Sequence, residues 1–298
     1  MSFITMAGRR RKIRQNMSST MGRVSSWART DVGRKREKNE DNYLEDSSLM
    51  LYGVADGMGG HAGGETASLM AVQTIHRWIR HARSQGNIIP AEPENVEYTD
   101  VLTLLERAVS EASSRIFEAS TRNPALRGMG TTVTVSMFLG PRLYVAHVGD
   151  SRLYRFRDGK FEQLTDDHSL VAEQVRAGFL TEEEAQYSRF RNIITRSVGF
   201  ENEINADLFS VALLPGDVFL VCSDGLTGMV SDGEIRHVLA TQRLNLAAAH
   251  LIDLANRAGG EDNITLVLTR YKGHYGSRVS REHFKKLGKS KSRRKMMM

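Results

Sequence analysis

Five short acidic segments carry the side chains of this chain best suited to chemistry: Asn39-Glu40-Asp41-Asn42, Asp56-Gly57-Met58-Gly59-Gly60-His61, Gly149-Asp150-Ser151-Arg152, Ser223-Asp224-Gly225 and Gly260-Glu261-Asp262-Asn263. Carboxylate oxygens are hard ligands, so such groups gathered in one place suit Mg²⁺, Mn²⁺ or Ca²⁺. Glycines beside the aspartates allow backbone and ion to approach closely. Zinc is a poor match, because the chain has a single cysteine, Cys222, and no His-x-x-x-His pair. Taken singly, each segment is an ordinary turn, since Asp-Gly is a common turn dipeptide. Position makes the difference. Four of them sit at the ends of strand-like runs, where side chains can converge at one edge of a β core, and the fifth, Gly149 to Arg152, joins two such runs.

The elements that must position these residues follow from periodicity. Leu49 to Ala55 reads as a buried strand ending in Asp56, and Gly64 to Arg83 has apolar residues at helical spacing (Leu69, Val72, Ile75, Ile79). Pro90 and Pro93 mark a loop over Asn87 to Glu97, and a second helix covers Val101 to Ala119. Strand signal then runs through Thr131 to Leu139, Arg142 to Val148, Arg152 to Arg157 and, after a turn at Asp158-Gly159, Phe161 to Leu164, which predicts an antiparallel meander. One helical stretch is expected from Leu170 to Tyr187. Strands follow at Val218 to Cys222 and Ile264 to Tyr271, with helices at Asp232 to Ala240 and Leu246 to Ala258. Strands grouped together and helices in pairs predict an α+β fold, a two-sheet core with helices packed on its outer faces.

Composition is compatible with an enzyme. The chain has 298 residues, 40% hydrophobic and 26% charged, which suits a domain with a substantial buried core. Its apolar runs fall well short of the roughly 20 residues needed to cross a bilayer, and Arg9 to Lys12 lack the apolar segment of a secretory signal, so the expected location is cytoplasmic. Cys222 lies in an apolar run and reads as a small buried hydrophobe. The formal charge of +6 is concentrated at the two ends. Residues 1–24 and 273–298 are therefore expected to be flexible basic extensions, either simply solvated or in contact with an acidic partner or polyanion.

The order and wording of the motifs resemble the metal-dependent protein phosphatases of type 2C, the PPM family, in their bacterial form. The resemblance runs from about Gly33 to Tyr271 through Gly-x-x-Arg-x-x-x-Glu-Asp-Asn, Ala-Asp-Gly-Met-Gly-Gly-His-Ala-Gly-Gly-Glu, Gly-Met-Gly-Thr-Thr, Val-Gly-Asp-Ser-Arg, Cys-Ser-Asp-Gly-Leu and Glu-Asp-Asn-Ile-Thr. It implies a four-layer α-β-β-α sandwich, a catalytic domain over residues 25–272, and hydrolysis of phosphoserine and phosphothreonine in proteins by metal-activated water with no phosphoenzyme. Two or three Mn²⁺ or Mg²⁺ ions are implied. Asp56 would bridge two of them, Asp224 and Asp262 would complete the first, and the carbonyl of Gly57 with Glu40 or Asp41 would serve the second. Asp150 would hold a third, weaker ion. Arg36, four residues before Glu40, matches the family's phosphate-binding arginine, whose planar fork can hold two phosphate oxygens at once.

Two departures from the family pattern bear on mechanism. Met58-Gly59-Gly60 separates His61 from the Asp-Gly pair, so His61 is either the general acid for the leaving alkoxide or a structural or water-binding residue. The resemblance also places a flap over residues 165–192, in which Ser188-Arg189 stands where many relatives have His-Pro. Arg189 and Arg191 are then either surface charges or phosphopeptide contacts. The implied partners are phosphorylated proteins, with a cognate Ser/Thr kinase or its targets among them. A pseudophosphatase that binds phosphopeptides without cleaving them is disfavoured by the presence of Asp56, Asp224 and Asp262. A nucleic-acid-associated role has only the basic ends in its favour.

Overall fold

The computed structural model describes residues 24–59, 63–85 and 98–273. Two antiparallel sheets lie face to face. The first is built from β2 (Asp41–Asp46), β3 (Leu51–Met58), β5 (Val133–Leu139), β6 (Arg142–Val148) and β9 (Asp207–Ala212) in that order, with the two-residue β4 (Gly130–Thr131) paired to β3. The second has the order β1 (Val24–Asp31), β11 (Ile264–Tyr271), β10 (Val218–Cys222), β7 (Arg152–Arg157) and β8 (Lys160–Gln163). Helices α1 (Gly63–Ser84) and α2 (Tyr98–Arg122) cover the first sheet; α6 (Asp232–Thr241) and α7 (Leu244–Arg257) cover the second. Three short helices, α3 (Leu170–Arg176), α4 (Glu182–Gln186) and α5 (Asp224–Thr227), lie in the connections. This is the expected α-β-β-α sandwich. Among the described residues no helix is long and apolar enough to cross a membrane.

Strand β10 shows why the fold has four layers. All five of its residues are buried, with Val218, Leu220 and Cys222 packed toward α6 and α7 and Phe219 and Val221 packed toward the other sheet. A period of two thus divides one continuous apolar run between two cores. At the centre of the inter-sheet core Phe138 meets Tyr52 and Phe219 edge to face, at centroid distances of 5.7 and 5.8 Å, and stacks on Tyr271 at 6.4 Å. These are the offset and T-shaped arrangements that aromatic quadrupoles favour.

The expected meander breaks between β6 and β7. These strands follow one another in the chain but enter different sheets: β6 pairs with β9, and β7 with β10. The break falls at Gly149-Asp150-Ser151, so Asp150 lies where the chain crosses from one sheet to the other. The single helix expected over 170–187 is two short ones. Gly178, at φ +76°, follows the end of α3, and Thr181 starts α4 with a reciprocal capping box to Glu184. The loop expected over Asn87 to Glu97 lies outside the described residues.

Candidate metal centre

Each sheet delivers carboxylates to the same end of the sandwich. From the first come Asp41, which opens β2, and Asp56, its cross-strand partner on β3. Asp150 follows β6. From the second come Asp224, directly after β10 and its N-cap Ser223, and Asp262, just before β11. Hydrogen bonds tie the two sets together across the gap between sheets. Ser223 donates to Asp41 Oδ2 (2.8 Å), and Asn263 Oδ1 accepts the backbone N–H of Glu40 (2.8 Å) while its amide donates to Val32 and Lys38 carbonyls (both 2.9 Å). Arg36, exposed on the loop between β1 and β2, donates to Asp262 Oδ2 at 2.7 Å.

The electrostatics record this convergence. Burial raises Asp56 well above the usual carboxylate range, and the charges of Asp41, Asp224, Asp150 and Asp262 raise it further. Asp41 is pushed up to about 7, chiefly by burial; hydrogen bonds from Thr265 and Ser223 pull it back, and Asp224 and Asp262 add to the rise. Asp150 is pushed up to about 8 by burial, then by Asp224 and Asp167. Burial, followed by the charge of Asp262, also raises Asp224. Like charges held this close oppose one another's ionisation.

Asp41 Oδ1 and Asp224 Oδ1 are buried with no hydrogen-bond partner. Buried oxygens of this kind are costly unless something electropositive meets them, so the donor set fits a hard divalent cation. Among the described residues no three His, Cys, Asp or Glu side chains close on one point at metal-ligand range. Asp41 takes the Ser223 hydroxyl, Asp262 takes Arg36, and Asp224 is hydrogen-bonded to Asp56.

The structure brings Arg36, Glu40, Asp41, Asp56, Asp150, Asp224 and Asp262 into one neighbourhood, with Gly57 donating its N–H to the Glu40 carbonyl (3.2 Å). His61 lies outside the described residues. In the segment expected to form a flap, Arg191 approaches Glu261 at 3.8 Å, beside Asp262, whereas Arg189 lies over the Phe190 ring at 4.5 Å. Four supporting residues had no assigned role in the sequence reading. Thr131 Oγ1 and Thr132 N donate to the Asp56 carbonyl (both 2.8 Å), Thr132 Oγ1 accepts the Asp56 N–H (2.9 Å), and Ser223 and Asn263 bridge the sheets. Their only sequence signal was membership of the Gly-Met-Gly-Thr-Thr, Cys-Ser-Asp and Glu-Asp-Asn motifs.

Fold and site together define a two-sheet α+β hydrolase with an all-oxygen acidic centre between its sheets. The chain belongs to the protein phosphatase 2C family, whose model matches residues 33–261, and it is a phosphoprotein phosphatase. It is 37% identical over 244 residues to the serine/threonine phosphatase stp of Listeria monocytogenes, a match covering 80% of this chain and 93% of that protein. With protein phosphatase PhpP of Streptococcus pneumoniae it shares 39% identity over 245 residues, covering 80% and 94%. Among solved structures, the serine/threonine phosphatase PstP/Ppp of Mycobacterium tuberculosis superposes with a TM-score of 0.74 at 36% identity, covering 84% of this chain and 99% of that one. The catalytic domain of the serine/threonine protein phosphatase PstP in complex with two manganese ions gives 0.72 at 35% identity, covering 84% and 98%.

Proposed function

We propose that the acidic centre holds Mn²⁺ or Mg²⁺ and that the protein removes phosphate from phosphoserine and phosphothreonine in proteins. The observation that carries this is the convergence of five aspartates from both sheets, two of them with buried oxygens that nothing else satisfies. Asp56, central to the cluster, would contribute to two ions, the first held also by Asp224 and Asp262 and the second by the Gly57 carbonyl with Glu40 or Asp41, and Asp150 would hold a weaker third. Bound there, the cations supply the Lewis acidity that lets water attack phosphorus at neutral pH. Arg36 binds the phosphate. Half-exposed, with one Nη on Asp262, it keeps further N–H donors for phosphate oxygens. Neither Cys222 nor Ser223 offers a nucleophile for a phosphoenzyme, since Cys222 is packed under α6 and α7 and Ser223 Oγ is bonded to Asp41. His61 is assigned the leaving-group proton.

The reading places the catalytic domain at 25–272, with the flap at 165–192, in a cytoplasmic protein acting on a cognate Ser/Thr kinase or its targets. The basic ends are solvated extensions or contact an acidic partner or polyanion. Phosphate release from phosphoserine and phosphothreonine peptides tests the central assignment. Turnover with Mn²⁺ should stop in EDTA and fall about 10³-fold in Asp56→Asn, the scale set by losing preorganised charge stabilisation. Folded, Mn²⁺-loaded wild type that binds the peptides without releasing phosphate would establish the pseudophosphatase instead.

A further inference from the structure

Two residues near the start of the flap, Asp167 and His168, grip the chain on both sides of Asp150. His168 holds Gly149 at two points: its backbone N–H donates to the Gly149 carbonyl (2.8 Å), and its Nδ1 accepts the Gly149 N–H (3.1 Å). Asp167 takes both forks of Arg152, Nε at 3.0 Å and Nη2 at 2.7 Å. Between them, Ser151 is bonded through its hydroxyl to Thr132 (2.7 Å) and through its carbonyl to Thr134 (2.9 Å). Each neighbour of Asp150 is therefore fixed, and two of the three are fixed by the flap stem.

The ring of His168 is itself oriented. An amide N–H can only donate, so Nδ1 carries no proton, and the proton sits on Nε2, which donates to Asp207 Oδ2 at 3.1 Å. Asp207 is held in turn by Arg196 (2.7 Å), and the His147 ring lies 4.7 Å away, centroid to centroid. His168 is completely buried. This is the arrangement by which a partner outside the ligand set orients a ligand through a fixed tautomer. Here, however, the ring acts on the backbone beside the carboxylate.

We infer that His168 is a positioning residue that sets the Asp150 carboxylate through Gly149 and so ties the flap stem to the weakest cation site. The inference rests on the proposed role of Asp150. Because it concerns geometry at Nδ1, two substitutions separate it from a general structural role. In His168→Asn the amide oxygen takes the place of Nδ1 and still accepts the Gly149 N–H. In His168→Gln the amide nitrogen takes the place of Nε2, keeps Asp207 and loses Gly149.

Mn²⁺ binding to the full chain, followed by isothermal calorimetry with the melting temperature of each protein recorded in EDTA, provides the test. Asp150→Asn should abolish the weakest class of Mn²⁺ sites. His168→Gln should weaken that class at least about tenfold and leave the tight sites alone, whereas His168→Asn should stay within about threefold of wild type. If Asp150→Asn leaves the weakest class intact, the assignment of Asp150 fails, and the inference with it. If Asp150→Asn removes that class but folded His168→Gln retains it, or His168→Asn loses as much as His168→Gln, the positioning role alone is overturned. Should His168→Gln not fold, His168→Leu, which has the shape of Asn but offers no acceptor to the Gly149 N–H, takes its place beside His168→Asn with the same two outcomes.

Discussion

At the scale of single residues, the site buries carboxylates beside one another at a cost that a cation relieves. Asp150 is the clearest case. Its ordinary value of 3.8 is raised to about 8, so above pH 3.8 the unfolded chain releases a proton that the folded chain keeps. The contribution of Asp150 to metal-free stability then falls as pH rises from about 4 to about 8, because at this group the unfolded state binds fewer protons over that window. Asp150→Asn does not titrate and escapes the penalty. In EDTA its melting temperature should exceed that of wild type by a margin that widens from pH 5 to pH 8, by about 1 kcal/mol or more, roughly 2–4 °C. A constant margin would show that Asp150 is not held under strain. Asp224→Asn should show the two effects in opposition: turnover with Mn²⁺ down about 10³-fold, and a metal-free protein more stable than wild type. Steady-state kinetics and thermal melting in EDTA check both halves.

The elements place these residues by close approach, and glycine decides where that is tolerated. A Cβ at Gly225 would overlap the Asn263 carbonyl and lie 3.4 Å from the Asp262 Cβ, so the turn after β10 can reach the β11 turn only because no side chain intervenes. Gly225→Ala should therefore push Asp224 and Asp262 apart and lower Mn²⁺ affinity at least about tenfold by calorimetry. Gly178 offers the contrast, with φ at +76° and no atom within 4 Å of an added Cβ. Gly178→Ala should cost only the left-handed backbone, about 1 kcal/mol in urea unfolding, with Mn²⁺ affinity unchanged.

Legibility in the sequence followed the same division between elements. Strands β6, β7, β10 and β11 were readable to the residue because they carry continuous or alternating apolar runs. Strands β1, β2 and β9 were not. All three lie at sheet edges and are half-exposed, so Val24-Ser25-Ser26-Trp27 and Asp41-Asn42-Tyr43-Leu44 lack the pattern of a buried strand. The crossing between β6 and β7 was equally hidden, since a local run of strands does not reveal which sheet each one joins. Of the site, the acidic residues were legible as types in motifs. The bridging roles of Ser223, Asn263 and Thr132 were not, because they depend on backbone groups far away in sequence.

At the scale of the whole molecule, the site exists only while the two sheets stay in register face to face. Phe138 sits at the centre of that interface, 2% exposed and in ring contact with three aromatics from both sheets. Phe138→Ala should cost about 4 kcal/mol in urea unfolding and leave a cavity at the sheet interface. Added Mn²⁺ should recover part of that loss, because cations that bind both sheets stabilise only the assembled sandwich. A Phe138→Ala stability that Mn²⁺ leaves unmoved would mean that the cations do not bind the assembled sandwich.

The central claim is that aspartates from the two sheets share divalent cations. Anomalous diffraction at the manganese edge from Mn²⁺-soaked crystals measures this directly. Two strong peaks are expected flanking Asp56, one beside Asp224 and Asp262 and the other beside the Gly57 carbonyl with Glu40 or Asp41. Crystals that hold manganese elsewhere, or none among these carboxylates, would contradict it.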